Sequence, residues 1–587
     1  MFFEYLANEL ILDIFEYLSV SDLFRAFFGL NTHFNQLLTH FQFYRLDLRS
    51  ISKENFQLLC QKYLPLVPAR ILSLHLSNHE ETPNLPKLFL SSTTISIHQF
   101  IHLQSLSLSY IQSFDILDAV IRQCEQLIHF AHLYFIKCYF NYPEYEIQSL
   151  MNQIWKLPAL THCLFDQITS RKFRLTTLST RSSSIKSLAF EKITCDFDDL
   201  LHLFKHTPHL QRLSLNLVYG FPNQHFHLPF DSIQSLKILY HGCRDSLINL
   251  FENLPQLIHL TLETFDIYCD GFQWEDILLT SLVRLRRFQL KMNLNFPDYH
   301  QIDQQANDLL ETFRTPFWID QHQWFVRCDW DRNNVFRNGI LYTLPYAFND
   351  CFYFDAMSSI STCPTTDDYW SYDHVRMLSH GNPENDLGKE LILFSARFGR
   401  IRHLKISFPF EENFWSCLSS FNYLTSINVT LLPTELAYVQ LQNLLHRALH
   451  LYSLKLSYSA DLPVEFFAMT SPSIRRLNFL KNSQPNIRSF TTNQCFLLLQ
   501  SPLIRQCEVL LIALKNHWMI PPLIKTMNNL RSLTCHCQDD DFYAWNCSAS
   551  SSMKDDALIE WLRTQLPSTY SILRDEKQTH LIRIWIG

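Results

Sequence analysis

The feature that most restricts this chain is a segment that occurs twice at a fixed offset. Leu200-Leu-His-Leu-Phe204-Lys-His-Thr-Pro208-His-Leu210-Gln-Arg-Leu213-Ser-Leu215 aligns with Leu247-Ile-Asn-Leu-Phe251-Glu-Asn-Leu-Pro255-Gln-Leu257-Ile-His-Leu260-Thr-Leu262, 47 residues further on. Each copy places apolar residues at helical spacing, then switches to the alternation of a half-buried strand. Another strand pattern, Ile233-Gln-Ser-Leu236-Lys-Ile238, lies between them, so the unit is about 24 residues. Such a unit cannot bury both its helix face and its strand face alone. Neighbours must stack, which commits a chain of 587 residues to an elongated array instead of one compact core.

The strand pattern recurs at Ile71/Leu74/Leu76, Leu103/Leu106/Leu108, Leu127/Phe130, Ile185/Leu188/Phe190 and Leu285/Phe288/Leu290. It resumes at Ile401/Leu404/Ile406, Leu424/Ile427/Val429, Leu451/Leu454/Leu456, Ile474/Leu477/Phe479 and Leu530/Leu533, with spacings between 22 and 33 residues. The array resembles leucine-rich repeats. That resemblance implies an irregular α/β solenoid, with parallel strands on the concave side and helices on the convex side. The asparagine that follows the strand in many such repeats is mostly missing, and many of the 48 phenylalanines take leucine positions as larger fillers.

Residues 292–398 interrupt the pattern with aromatic and polar sequence that includes Trp318, Trp324, Trp330 and Trp370. Within it, 317–327 alternates enough to suggest a strand or hairpin, and 356–390 reads as loop. The expected organisation is a helical module over 1–45, a repeat block over 46–291, an insertion over 292–398, and a second repeat block with a terminal cap over 399–587. The insertion's rings are expected to cover the repeat edge or to form a partner-binding patch.

The N-terminal module is amphipathic. Asn8 can cap a first helix carrying Leu10, Ile11, Ile14, Phe15 and Leu18, and Ser21 a second carrying Leu23, Phe24 and Phe27. Gly29 can end the second helix, and Phe34, Leu37 and Leu38 belong to a third. Leu6, Glu9, Ile14, Tyr17, Leu18, Ser19, Asp22, Leu23, Asn31, Phe34 and Leu37 together resemble an F-box, with Ala7 where that family usually has proline. The resemblance implies that Leu6, Glu9, Leu10, Ile14, Phe15, Tyr17, Leu18, Asp22 and Leu23 bind a Skp-type adaptor, and through it cullin and RING subunits. It implies a substrate-recognition subunit of an SCF-type ubiquitin ligase that contributes no catalytic residue. The alternatives are a terminal cap on a leucine-rich-repeat scaffold without a ligase role, and an enzyme hidden in 292–398.

Composition narrows the chemistry. Only 9 glycines are available for the φ > 0 loops that cradle phosphates. Gly381-Asn-Pro-Glu-Asn-Asp-Leu-Gly388-Lys389 has six residues between its glycines, and Glu390 stands where a magnesium-binding hydroxyl would be. No cofactor is expected. The net charge of −7 gives no electrostatic case for nucleic acid or an anionic membrane. The 16 cysteines lack any Cys-x-x-Cys pair, and the start lacks a signal-peptide pattern, so a reducing location in cytoplasm or nucleus is expected. Cys535-His536-Cys537 with Cys547 reads as buried thiols and not a zinc site, and Asp539-Asp540-Asp541 as a solvated loop. No metal is expected.

What remains is a binding surface. Side chains alternate along a strand, so residues between the inward pair face the concave side. Ser105, Ser107 and Ser109 fall there in early repeats, and Arg212, Lys237, Arg287, Lys291, His403, Lys405, Lys455 and Arg476 in later ones. That basic bias points to an acidic or phosphorylated protein segment as the substrate.

Overall fold

A computed structural model of the chain describes every residue except 1–3, 5, 42, 140–141, 169–173, 219–229, 266, 299–300, 332–337, 355–356, 365–371, 382–396, 411–413, 459–461, 481–488, 541–555 and 577. It opens with helices α1 (Asn8–Glu16), α2 (Val20–Phe27) and α3 (Thr32–His40). Ten strands follow: β1 (Tyr44–Asp47), β2 (Ile71–Ser77), β3 (Ser105–Ser109), β4 (His132–Ile136), β5 (His162–Asp166), β6 (Ser187–Cys195), β7 (Arg212–Val218), β8 (Ser235–His241), β9 (His259–Phe265) and β10 (Arg287–Asn295). Each pairs in parallel with the next, as expected when a helix returns the chain between strands.

The inward pair of each strand forms one layer. Leu213 and Leu215, for example, pair in register with Leu236 and Ile238, and all four are at most 3% exposed. Full burial of such a side chain is worth roughly 2 kcal/mol. Phenylalanine takes the same position in three adjacent units, where Phe135, Phe165 and Phe190 stack with centroids 5.0 and 5.1 Å apart. At the ends of β3, β4 and β5 the chain turns through Tyr110, Lys137 and Gln167, all at φ between 51° and 58°. Each of these residues donates its N–H to a carbonyl on the next strand. The left-handed turns thus occur without glycine.

Residues 292–398 are divided between two sheets. Strands β11 (Val326–Asp331), β12 (Asn338–Thr343) and β14 (Met357–Ser361) run antiparallel and close the first sheet in the order β10-β12-β11-β14. Strands β13 (Asp350–Phe354) and β15 (Met377–Gly381) open a second, parallel sheet. The stretch 356–390 therefore contributes two strands, and 317–327 is a π-helical turn (Phe317–Gln321) leading into β11. The Trp318 and Trp324 rings pack 6.1 and 5.5 Å from Phe288 of β10. Most of the segment Gly381–Lys389, with Glu390 and Trp370, lies outside the described residues.

The second sheet continues through β16 (His403–Phe408), β17 (Ser426–Leu431), β18 (Ser453–Tyr458), β19 (Arg476–Asn478), β20 (Val509–Leu514) and β21 (Ser532–Cys537). Antiparallel β22 (Ser571–Arg574) and β23 (Leu581–Trp585) cap it. The architecture is α/β with long parallel-strand sheets, consistent with a leucine-rich-repeat-like solenoid. No helix among the described residues is long and apolar enough to cross a membrane.

The two ends of the array touch. Arg531 donates to the Ser50 carbonyl at 2.6 Å and to Glu81 at 3.0 Å, while its Nε holds Glu508 at 3.0 Å. Arg583, 2% exposed, donates to the carbonyls of Asn78 and His79, each at 2.6 Å. Arg476 lies 3.5 Å from Glu80, and the Phe56 and Trp585 rings meet at 5.7 Å. The elongated array is therefore closed on itself. Burial alone would raise the Glu80 pKa, but His79, Arg476 and Arg583 outweigh it and hold the carboxyl well below its usual range. A depressed carboxylate stabilises the fold above its unfolded pKa and loses that contribution as pH falls through the folded value.

The closure generates one expectation for small-angle scattering and one for urea unfolding. The radius of gyration is expected to stay constant from neutral pH down to about 5 and to rise below about 4, a step that Glu80→Gln reduces. Arg531→Ala, which leaves the 7%-exposed Glu81 without its shortest cationic contact, is expected to cost about 3 kcal/mol in urea unfolding.

Candidate interaction surfaces

Helix α1 carries two apolar stripes. Ile11 and Phe15, four residues apart, are 0% and 1% exposed and face the core. Leu10 and Ile14, also four residues apart, face outward at 51 and 37% exposure, followed just past the helix end by Tyr17 at 90% and Leu18 at 38%. Residues at i and i+4 share a helix face, so one short helix can pack inward and present a second apolar surface. Exposed Leu30, at the α2–α3 junction, was not among the residues expected to dock.

Phe15 and Leu23, both 1% exposed, are corrected out of that docking set because they fill the module's interior. Leu6 is half-buried and packs against the same core, whereas Glu9 and Asp22 are exposed. The caps also differ from expectation. Asn8 lies inside α1 and meets His33 at 2.8 Å, and Ser19, not Ser21, accepts the N–H of Asp22 to cap α2. Asn31 caps α3, and Gly29 at φ +84° makes the turn between them. The module's core continues into the repeats: Phe24 lies 4.9 Å from Tyr63 and 5.5 Å from Tyr44, whose hydroxyl donates to the Leu38 carbonyl at 2.5 Å. Strand β1 straddles the boundary expected at 45.

The inner face of the repeats sorts its charges by row. Register places His132, His162, Ser187, Arg212, Ser235, His259 and Arg287 side by side at the strand starts. Carboxylates lie further along the strands, at Asp166, Glu191 and Glu263. Two of the expected substrate cations are spent on these carboxylates. Lys237 pairs with Glu191 at 2.9 Å, and Lys291, 4% exposed, with Glu263 at 2.9 Å. Arg476 belongs to the closure with Glu80 and Glu81, and beside it burial pushes the Lys455 amine down, aided by Arg476. Those four are corrected out of an open basic surface. Arg212, Arg287, His403 and Lys405 are exposed, and burial followed by Lys137 and Arg402 lowers the His403 pKa. Ser105 and Ser107 are half-buried, whereas Ser109 is buried and 2.7 Å from the His75 ring. Burial pushes that imidazole down to about 4, so it is neutral at pH 7.

A cavity of about 710 Å3 separates the start of α2 from the first strands, lined in part by Asp22, Arg49, His75, Tyr110 and Lys137. Elsewhere, Cys535 and Cys537 are buried on β21, where the hydrogen bond between them and then burial push the Cys537 thiol up. Cys547 and Asp541 lie outside the described residues. Asp539 and Asp540 are engaged instead of freely solvated: Asp539 accepts from His517 and Asp540 pairs with Arg574 at 2.7 Å. The signals that would have located the closure are absent from local sequence, since its named partners lie at least 396 residues apart.

No family model matches the chain, and no curated protein matches it. Among solved structures, a leucine-rich-repeat protein of Leptospira interrogans is similar at 12% identity and a TM-score of 0.21, over 80% of this chain and 91% of that one.

Ala7, the residue before α1, sits at φ −59°, inside the range that proline fixes. Ala7→Pro is expected to raise unfolding free energy by about 0.5 kcal/mol, by restricting the unfolded chain, as read by urea denaturation.

Proposed function

We propose that this chain is a non-catalytic substrate-recognition subunit of an SCF-type cullin–RING ubiquitin ligase. Its α1–α3 module docks on a Skp-type adaptor and its repeats hold a protein substrate. The observation that carries this reading is the outward stripe of Leu10, Ile14, Tyr17 and Leu18 on and just past a helix whose inward stripe is already satisfied. Water-exposed apolar residues grouped on one helix face favour a protein partner. The F-box resemblance supplies which partner, and Glu9 and Asp22, which it also implicates, are exposed.

The mechanism is proximity. Holding a substrate beside a ubiquitin-loaded conjugating enzyme raises its effective concentration, and no side chain of this chain need enter the chemistry. The reading requires no cofactor, and it places the chain with its partners in cytoplasm or nucleus. A leucine-rich-repeat scaffold without a ligase role is the second reading, favoured by the continuity of Phe24 with Tyr63 and Tyr44, which suits a terminal cap.

Capture by purified Skp-type adaptor separates the two. The wild-type chain is expected to be retained, and Ile14→Asp with Leu18→Asp to be lost while unfolding free energy changes by only about 1 kcal/mol. Failure of the wild type to bind leaves the scaffold reading in place.

A further inference from the structure

We propose that the strand-start row of the first sheet is a docking track for an extended acidic segment of a partner protein. The proposal rests on the reading of the repeats as the partner-holding part, and is independent of the adaptor contact. Three observations support it.

First, the row from β4 to β10 contains His132, His162, Arg212, His259 and Arg287, interrupted only by serines, with no carboxylate in it. Lys186 and Arg286 lie immediately outside it, since the N–H of Gln211 reaches Lys186 and that of Arg286 reaches Ile258 along the same edge. Second, Lys186, Arg212, His259, Arg286 and Arg287 are exposed, and no ion pair joins Lys186, Arg212, Arg286 or Arg287 to a carboxylate among the described residues. Of the acids further along these strands, Glu191 is engaged by Lys237 and Glu263 by Lys291. Third, the track has the dimensions of a peptide. Seven parallel strands about 4.8 Å apart give a row about 29 Å long, which about nine extended residues span.

An acidic peptide fits this row better than nucleic acid. The hydroxyls of Ser187 and Ser235 flank Arg212 in the row, where burial lowers the His162 pKa. A net charge of −7 opposes a long polyanion. Carboxylates on Arg212 and Arg287 form charge-assisted, fork-shaped hydrogen bonds, which set register along the row.

The experiment uses the full chain and a fluorescein-labelled Glu-Ser decapeptide, read by anisotropy. Wild type is expected to bind, with affinity falling between about 50 and 200 mM salt. Arg212→Glu with Arg287→Glu is expected to weaken binding by about ten-fold or more, and Arg212→Gln with Arg287→Gln by less. Arg400→Glu with Arg402→Glu, both exposed beside the second sheet, makes the same change in net charge and is expected to change affinity by less than about two-fold. Peptide binding is expected to survive Ile14→Asp with Leu18→Asp, and adaptor capture to survive the arginine reversals, so the two proposals fail separately. No wild-type binding, or equal losses in the row and control variants, overturns the track. Tighter binding of a twelve-nucleotide oligothymidylate than of the peptide overturns the choice of partner.

Discussion

The contact on which everything else in this molecule depends is the lateral one between the inward pairs of adjacent strands. Leu213 and Leu215 have no core of their own; they are dry because Leu236 and Ile238 lie beside them. A stack built this way has no internal reason to stop, so each terminus needs a different solution. Three helices cover the first strand, an antiparallel hairpin covers the last, and antiparallel β11, β12 and β14 end the first sheet where the second begins. At that junction Arg327, 0% exposed, is held by Asp329 at 2.6 Å, while the Tyr342 hydroxyl bridges Asp329 and Tyr372 at 2.5 Å each. A buried cation is tolerable there because its partners are built into both cores.

Repetition was legible wherever leucine or isoleucine filled the pair, and failed where the filler changed. Strand β5 escaped notice because Cys163 stands beside Phe165, and β4 was read one step early at Leu127/Phe130 when its buried pair is Leu133 and Phe135. In β20 both faces are apolar: Val509, Leu511 and Ala513 join Leu480 and Leu581 in a separate cluster, which erases the alternation. The turns after β3, β4 and β5 are invisible for a related reason. Tyrosine, lysine and glutamine occupy left-handed positions that glycine would have marked.

The candidate surfaces were partly legible. Apolar residues of α1 were recognisable as a group, but a helical period alone does not separate the stripe of Ile11 and Phe15 from that of Leu10, Ile14 and Leu18. Strand alternation puts Arg212, Lys237, Arg287 and Lys291 on one face of their strands. It could not say which were already matched, because Glu191 and Lys237 lie 46 residues apart in sequence, and Arg476 meets Glu80 across 396. Pairing of that kind depends on which strands become neighbours and on how the array bends.

The closure also bears on the order of folding. Glu81 and Arg531 are separated by 450 residues. Joining such points in a flexible chain costs about 5 kcal/mol in loop entropy, whereas an array already stacked has few remaining degrees of freedom to restrict. Local strand pairing is therefore expected to precede closure, and the joining of the ends to come last. A chain still emerging from the ribosome holds Asn78–Glu81 without their guanidinium partners until Arg583 is free to reach them, so its first repeats wait as an open, acidic edge.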